Sequence, residues 1–205
     1  MEKLIRETRW SKVYERDDGV RSVQSKFSTE GLSVAADELK RMWPEWDDRE
    51  RLDFAQAFSQ KASFSQDDCD SLEFLVQSGS DIVASATAIE LATCPNSSVA
   101  FDLIVTRLGA AKNVPRSNFF QALGRLADQR GVAILEQLRA SLAGQIAGEP
   151  TPIDTVIDYL SCCTALAELT KNSEYKRNIE AYLTDDREPV RFAARAMIEN
   201  RLTQI

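Results

Sequence analysis

The amino-acid sequence predicts an all-α chain of about five stacked helix pairs with an extra helix at the N-terminus. Three observations carry this reading. Apolar residues recur three and four positions apart through successive segments, the spacing of a one-sided helical stripe. The eight glycines and six prolines of the 205-residue chain fall between those segments, where they end helices instead of interrupting them. No long β-branched, alternating run competes, and a hydrophobic content of 43% suffices for one large domain or for a repeat array with a continuous core.

A helix is expected over about residues 2–15, followed by a polar link through Asp17, Asp18 and Gly19, so that residues 1–28 lead into a helical-repeat domain over 29–205. The first pair covers about 30–43, with Leu32, Ala35, Leu39 and Met42 on one stripe, and 48–61, with Leu52, Ala55 and Phe58; Pro44 separates the two. The second covers 66–78 and 81–93, with Ser65 and Ser80 as N-caps, Gly79 as a stop and Cys94-Pro95 at its close. The third covers 98–110 and 116–128, divided at Pro115, and the fourth 131–146 and 152–169, divided by Gly148 to Pro152. The fifth covers 174–183 and 188–202, with Ser173 ahead of its first helix and Pro189 in the first turn of its second. Five antiparallel hairpins with short loops favour stacking over a closed bundle.

The most specific local signal lies in the last pair. Over residues 183–198 an acidic turn with Asp185 and Asp186 leads to Pro189, Val190-Arg191, the small Ala193, Ala194 and Ala196, and then Met197 and Ile198. This run resembles the turn and second helix of a HEAT repeat. Looser echoes, without the Val-Arg pair, recur at Ile82 to Ile89 and at Phe119 to Leu123, near the period of such repeats. The resemblance implies a right-handed α-α superhelix and a structural role for Arg191, tying its helix back to Asp185 or Asp186 through charge-assisted hydrogen bonds. It implies no function, because fold does not fix function.

Composition removes several chemistries. With 25 Lys+Arg against 32 Asp+Glu the net charge is -7, which disfavours a nucleic-acid partner and suits a basic protein. The chain has no histidine, so Ser-His and Cys-His nucleophiles and mixed His/carboxylate metal centres are absent. Cys69, Cys94, Cys162 and Cys163 form no CxxC pair and read as small buried hydrophobes of a reducing compartment. No apolar run reaches about 18 residues and the first residues lack an export signal, so a cytoplasmic protein without a membrane contact is expected. Among enzymes on similar scaffolds, deoxyhypusine hydroxylases need His-Glu motifs and HEAT-like DNA glycosylases need basic grooves. A bilin-lyase-like enzyme or chaperone remains as the alternative class.

The expected function is therefore a non-catalytic protein-binding scaffold or inhibitor, of which an immunity- or antitoxin-like protein covering a basic partner is one form. No catalytic residue, metal or cofactor is assigned. Asp47-Asp48, Asp67-Asp68-Asp70 and Asp185-Asp186 stand at helix starts, where carboxylates cap free amides. Trp43 and Trp46 flank a helix break and serve either inter-helix packing or partner anchoring. Trp10 and Tyr14 read as a docking patch of the N-terminal helix. The second helices of stacked pairs line a concave face, about 50 Å long at roughly 10 Å per layer. The polar stripe on those helices is the expected partner surface: Asp53, Gln56 and Gln60, then Glu90, then Gln121, Arg125 and Asp128, then Asp154 and Asp158, then Arg195 and Glu199. Asp154 and Asp158, one turn apart, read as carboxylates with no internal partner.

Overall fold

The computed structural model describes residues 36–58, 63–94, 97–111, 114, 116–148 and 151–202. The helix expected over 2–15, the link to Gly19, and Gln60 lie outside them. The described residues form ten α-helices and no strand. In order these are α1 (Ala36–Met42), a 3-10 turn (Trp43–Glu45), α2 (Asp48–Phe58), α3 (Gln66–Ser78), α4 (Asp81–Leu91) and α5 (Ser97–Ala110), then α6 (Ser117–Leu126), α7 (Arg130–Ile146), α8 (Ile153–Thr170), α9 (Ser173–Glu180) and α10 (Glu188–Arg201). None of the described helices is long and apolar enough to cross a membrane.

The caps explain why the helices start where the sequence expects. Ser65 accepts from the Asp68 amide while Asp68 accepts from the Ser65 amide at 2.8 Å, a reciprocal pair that satisfies two free donors of α3. Gly79 ends that helix and Ser80 caps the next. Asp47 accepts from the amides of Arg49 and Glu50, and the Glu50 carboxylate accepts from the Asp47 amide. One cap differs from expectation: the side chain of Asn172, not Ser173, accepts from the Glu174 amide at 2.9 Å, and Ser173 is already helical. Asparagine carries a carbonyl acceptor and tolerates the extended cap backbone, so it takes the position.

The chain divides into two compact units, residues 1–114 and 115–205. In the first, α3 packs against α1, α4 and α5, and α4 packs against α2, α3 and α5. Its aromatic cluster runs from Phe58 through Phe54 and Trp46 to Trp43 and Phe74, with neighbouring ring centroids between 5.0 and 6.1 Å apart. Cys69 and Cys94 form a disulfide across the α3–α4 hairpin, with 5.7 Å between their Cα atoms. This corrects the reading of all four cysteines as free hydrophobes. Periodicity could not pair residues 25 apart, whereas folding the hairpin back brings the start of α3 beside the end of α4. The argument for a reducing compartment thus loses two of its four residues.

In the second unit α8 packs against α6, α7, α9 and α10. It is buried on nearly every side, from Val156 through Leu160, Cys162, Cys163, Ala165 and Leu166 to Leu169. Gly124 lets α6 approach it: a Cβ built there would stand 3.1 Å from the Ala165 Cα and press on the Glu168 carboxylate. Gly144 of α7, by contrast, faces open space. Gly124→Ala should lower stability by about 1–2 kcal/mol, because crowding of roughly 1–3 kcal/mol exceeds the gain in helix propensity. Gly144→Ala should raise it by about 0.5–1 kcal/mol. Urea unfolding of the two variants checks both signs.

Candidate functional site

The described residues of the expected partner stripe differ in exposure. Asp53 and Asp158 are buried, at 4% and 7% exposure. Gln56, Glu90, Gln121, Asp128 and Asp154 are half-buried, and only Arg125, Arg195 and Glu199 are exposed. Asp158 does have an internal partner, contrary to expectation: Arg116 donates to it from its backbone amide at 2.9 Å and from Nε at 3.2 Å. The guanidinium also lies 5.8 Å over the Phe120 ring, which fixes it across the polar side of α8. Burial pushes Asp158 up from the usual aspartate range, against the pull of Arg116. Asp128 is held down by hydrogen bonds from Arg130, at 2.7 Å to the guanidinium. Two further residues of interest are absorbed by packing: Trp43 is buried, meets Phe74 edge-on at 5.5 Å, and carries Arg51 over its ring at 5.2 Å. Trp46 packs on Phe54 at 5.2 Å.

The acidic turn before α10 is tied as the sequence implied, with the partners exchanged. Arg191 donates to the carbonyls of Asp185 and Asp186, at 2.6 and 2.9 Å. The Asp185 carboxylate instead receives Arg187 Nε and Nη2, at 2.9 and 2.8 Å, and is held low by it. Arg187, two residues on, can wrap the turn bidentately, whereas Arg191 lies a helical turn away and reaches the carbonyls.

A second polar cluster joins α7, α8 and α9. Glu136 accepts from the Tyr175 hydroxyl and from Arg139 Nε at 2.9 Å. Burial works to raise Glu136, and the two hydrogen bonds outweigh it. Tyr159 is pushed up to about 12 by burial and by Cys163, and Cys163 is pushed up to about 11 by burial. Cys162 is raised further by burial and donates to the Leu135 carbonyl at 3.2 Å. Thiols and phenols held protonated in this way are poor nucleophiles, and the cluster works as a tie between helices.

A different site lies on α1 and α3, the first helices of their pairs. Asp37, Lys40, Asp67, Asp70, Glu73, Phe74 and Gln77 line a cavity of about 480 Å³. Four carboxylates face one lysine. Glu73 is pushed up by burial and then by neighbouring Asp70. Asp68 alone of its cluster is used in capping; Asp67 and Asp70 turn to the cavity. The surrounding unit is also where the negative charge resides. Residues 1–114 hold 14 basic and 20 acidic side chains, net -6, while residues 115–205 hold 11 and 12, net -1. Among the described residues, no three His, Cys, Asp or Glu side chains form a group that could hold a metal ion. No protein family, curated protein or solved structure matches the chain.

Two outcomes follow from the buried carboxylates. Asp158→Ala should cost roughly 2–4 kcal/mol by stranding the Arg116 amide and guanidinium, whereas Asp154→Ala should stay within about 0.5 kcal/mol. Denaturant titration separates them.

Asp53 is raised by burial, opposed by Arg49 and reinforced by Asp47 and Glu50, and its buried Oδ2 finds no hydrogen bond among the described residues. A raised carboxylate stabilises the fold below its unfolded pKa and loses that contribution as pH rises through the folded value. Asp53→Asn should therefore gain on the native chain between about pH 4 and 7 in parallel thermal melts. Melting curves that keep a constant separation over that window would contradict the assignment.

Proposed function

We propose that this chain is a non-catalytic helical-repeat scaffold that binds another protein, and that a basic segment of that partner enters the acidic cavity on α1 and α3. One observation carries the reading. Four carboxylates, one lysine and the half-buried Phe74 share a concavity large enough for a Lys or Arg side chain, in the unit that holds nearly all of the net negative charge. A carboxylate-rich recess attracts a cation from a distance, and an aromatic wall adds contact with its methylenes or guanidinium plane.

The scaffold part of the proposal rests on a packing rule. Within the first unit α1, α3 and α5 pack in succession, as do α2 and α4; within the second, α6, α8 and α10 do so. Contact between helices two places apart, in these pairs, is the neighbour pattern of stacked hairpins, and it supports a HEAT-like array of about five pairs. An immunity- or antitoxin-like protein that covers a basic toxin is a member of this functional class.

Calorimetric titration of the full chain with a Lys/Arg-rich peptide, at low and high salt, tests the cavity. Asp70→Lys combined with Glu73→Lys should weaken binding more than about tenfold, mostly at low salt, with the circular dichroism unchanged. Equal affinity for the native and doubly reversed chains would overturn the reading.

A further inference from the structure

One exposed face of α10 carries an aromatic among charges. Positions 188, 192, 195 and 199 are spaced by four, three and four, which puts them on a single face. They read Glu188, Phe192, Arg195 and Glu199, and all four are exposed, Phe192 at 64%. The opposite face is committed: Val190 and Ala194 are buried, and Arg201 reaches Glu168 of α8 at 2.5 Å. The helix is thus held by α8 and α9 with its aromatic turned outward. A large aromatic on an otherwise charged, exposed helix face suits contact with another surface.

We propose that this face pairs with the α10 of a second copy of the chain, antiparallel, with Phe192 on the two-fold axis. The occupant follows from the charge order. Along the stripe the order is acid, aromatic, base, acid: Glu188 stands four residues before Phe192, Arg195 three after it and Glu199 seven after it. In an antiparallel pair Glu199 is level with the other copy's acidic turn, a repulsion that keeps the pairing weak. Two such stripes laid antiparallel about Phe192 bring Arg195 of each copy to within one residue of the level of the other's Glu188, so that two ion pairs flank a Phe–Phe contact. Laid parallel, the same stripes would set Glu on Glu and Arg on Arg. Among the described residues neither Glu188 nor Arg195 has an ion-pair partner within its own chain. The net charge of -1 in residues 115–205 leaves little repulsion between two copies of this unit. One aromatic at the crossing of two helices makes a small interface, below about 1,200 Å², so the dimer is weak and exchanging. The proposal is independent of the acidic cavity, which lies in the other unit.

Sedimentation velocity of the full chain over about 10–500 μM is the test, with an expected Kd of order 10–100 μM. Phe192→Asp, and Phe192→Ala as a milder second variant, should each weaken association at least about tenfold while the melting temperature stays unchanged. Arg195→Glu should weaken it, and Glu188→Arg combined with Arg195→Glu should restore it, because the reversed pair keeps the same antiparallel complement. A chain that is monomeric throughout, or that associates equally well with either Phe192 variant, overturns the proposal. Failure of the double reversal to restore association overturns the antiparallel register. A partner other than a second copy on this face gives the first of those results.

Discussion

Helix α8 sets the terms for the second unit because neighbours cover it on nearly every side, and its buried polar side chains must look for partners inside the protein. Thr164 and Thr170 do so by turning back onto the Leu160 and Leu166 carbonyls, at 2.9 and 2.7 Å. Asp158 cannot, since an ionised carboxylate has no donor and its own helix offers no free amide there. Arg116, at the head of α6, supplies the two donors from outside. The start of α6 and the interior of α8 are consequently fixed by one interaction, and the close approach at Gly124 follows from the same helix contact further along.

What the sequence made legible is what depends on local physics. The 3.6-residue period, the capping serines and the prolines and glycines between segments act over a few residues, so helix spans such as 66–78 and the caps at Ser65 and Ser80 could be read directly. Asp158 was misread because every second helix was assumed to keep one solvated side. That assumption holds for α10, where Arg195 and Glu199 are exposed, and breaks for α8, whose polar side is roofed by an arginine 42 residues earlier. Near-continuous apolarity from Val156 to Leu169 was the available signal, since a helix hydrophobic all round is a buried one. The Cys69–Cys94 bond is a product of hairpin closure and the acidic cavity of packing between α1 and α3, both invisible to any window of one helix.

Carboxylates play two different parts in the two units, and arginine placement decides which. In the second unit Glu168, Glu136, Asp158 and Asp185 each receive a guanidinium at 2.5 to 3.2 Å, three of those arginines sit on a different element from the acid or anchor another one, and the acids become ties between helices. Among the described residues no arginine arrives on the cavity side of α3. Asp70 takes the Gln66 amide at 2.9 Å, and Lys40 reaches Asp37 at 3.5 Å across a solvated surface, a contact worth little. Uncompensated carboxylates that converge on a recess repel one another, and at Glu73 the charge of Asp70 adds to burial in raising the carboxyl. A cation entering that recess relieves the repulsion without having to displace a resident arginine. The same residue type thus builds the fold where a fixed cation meets it, and leaves an electrostatic vacancy where none does.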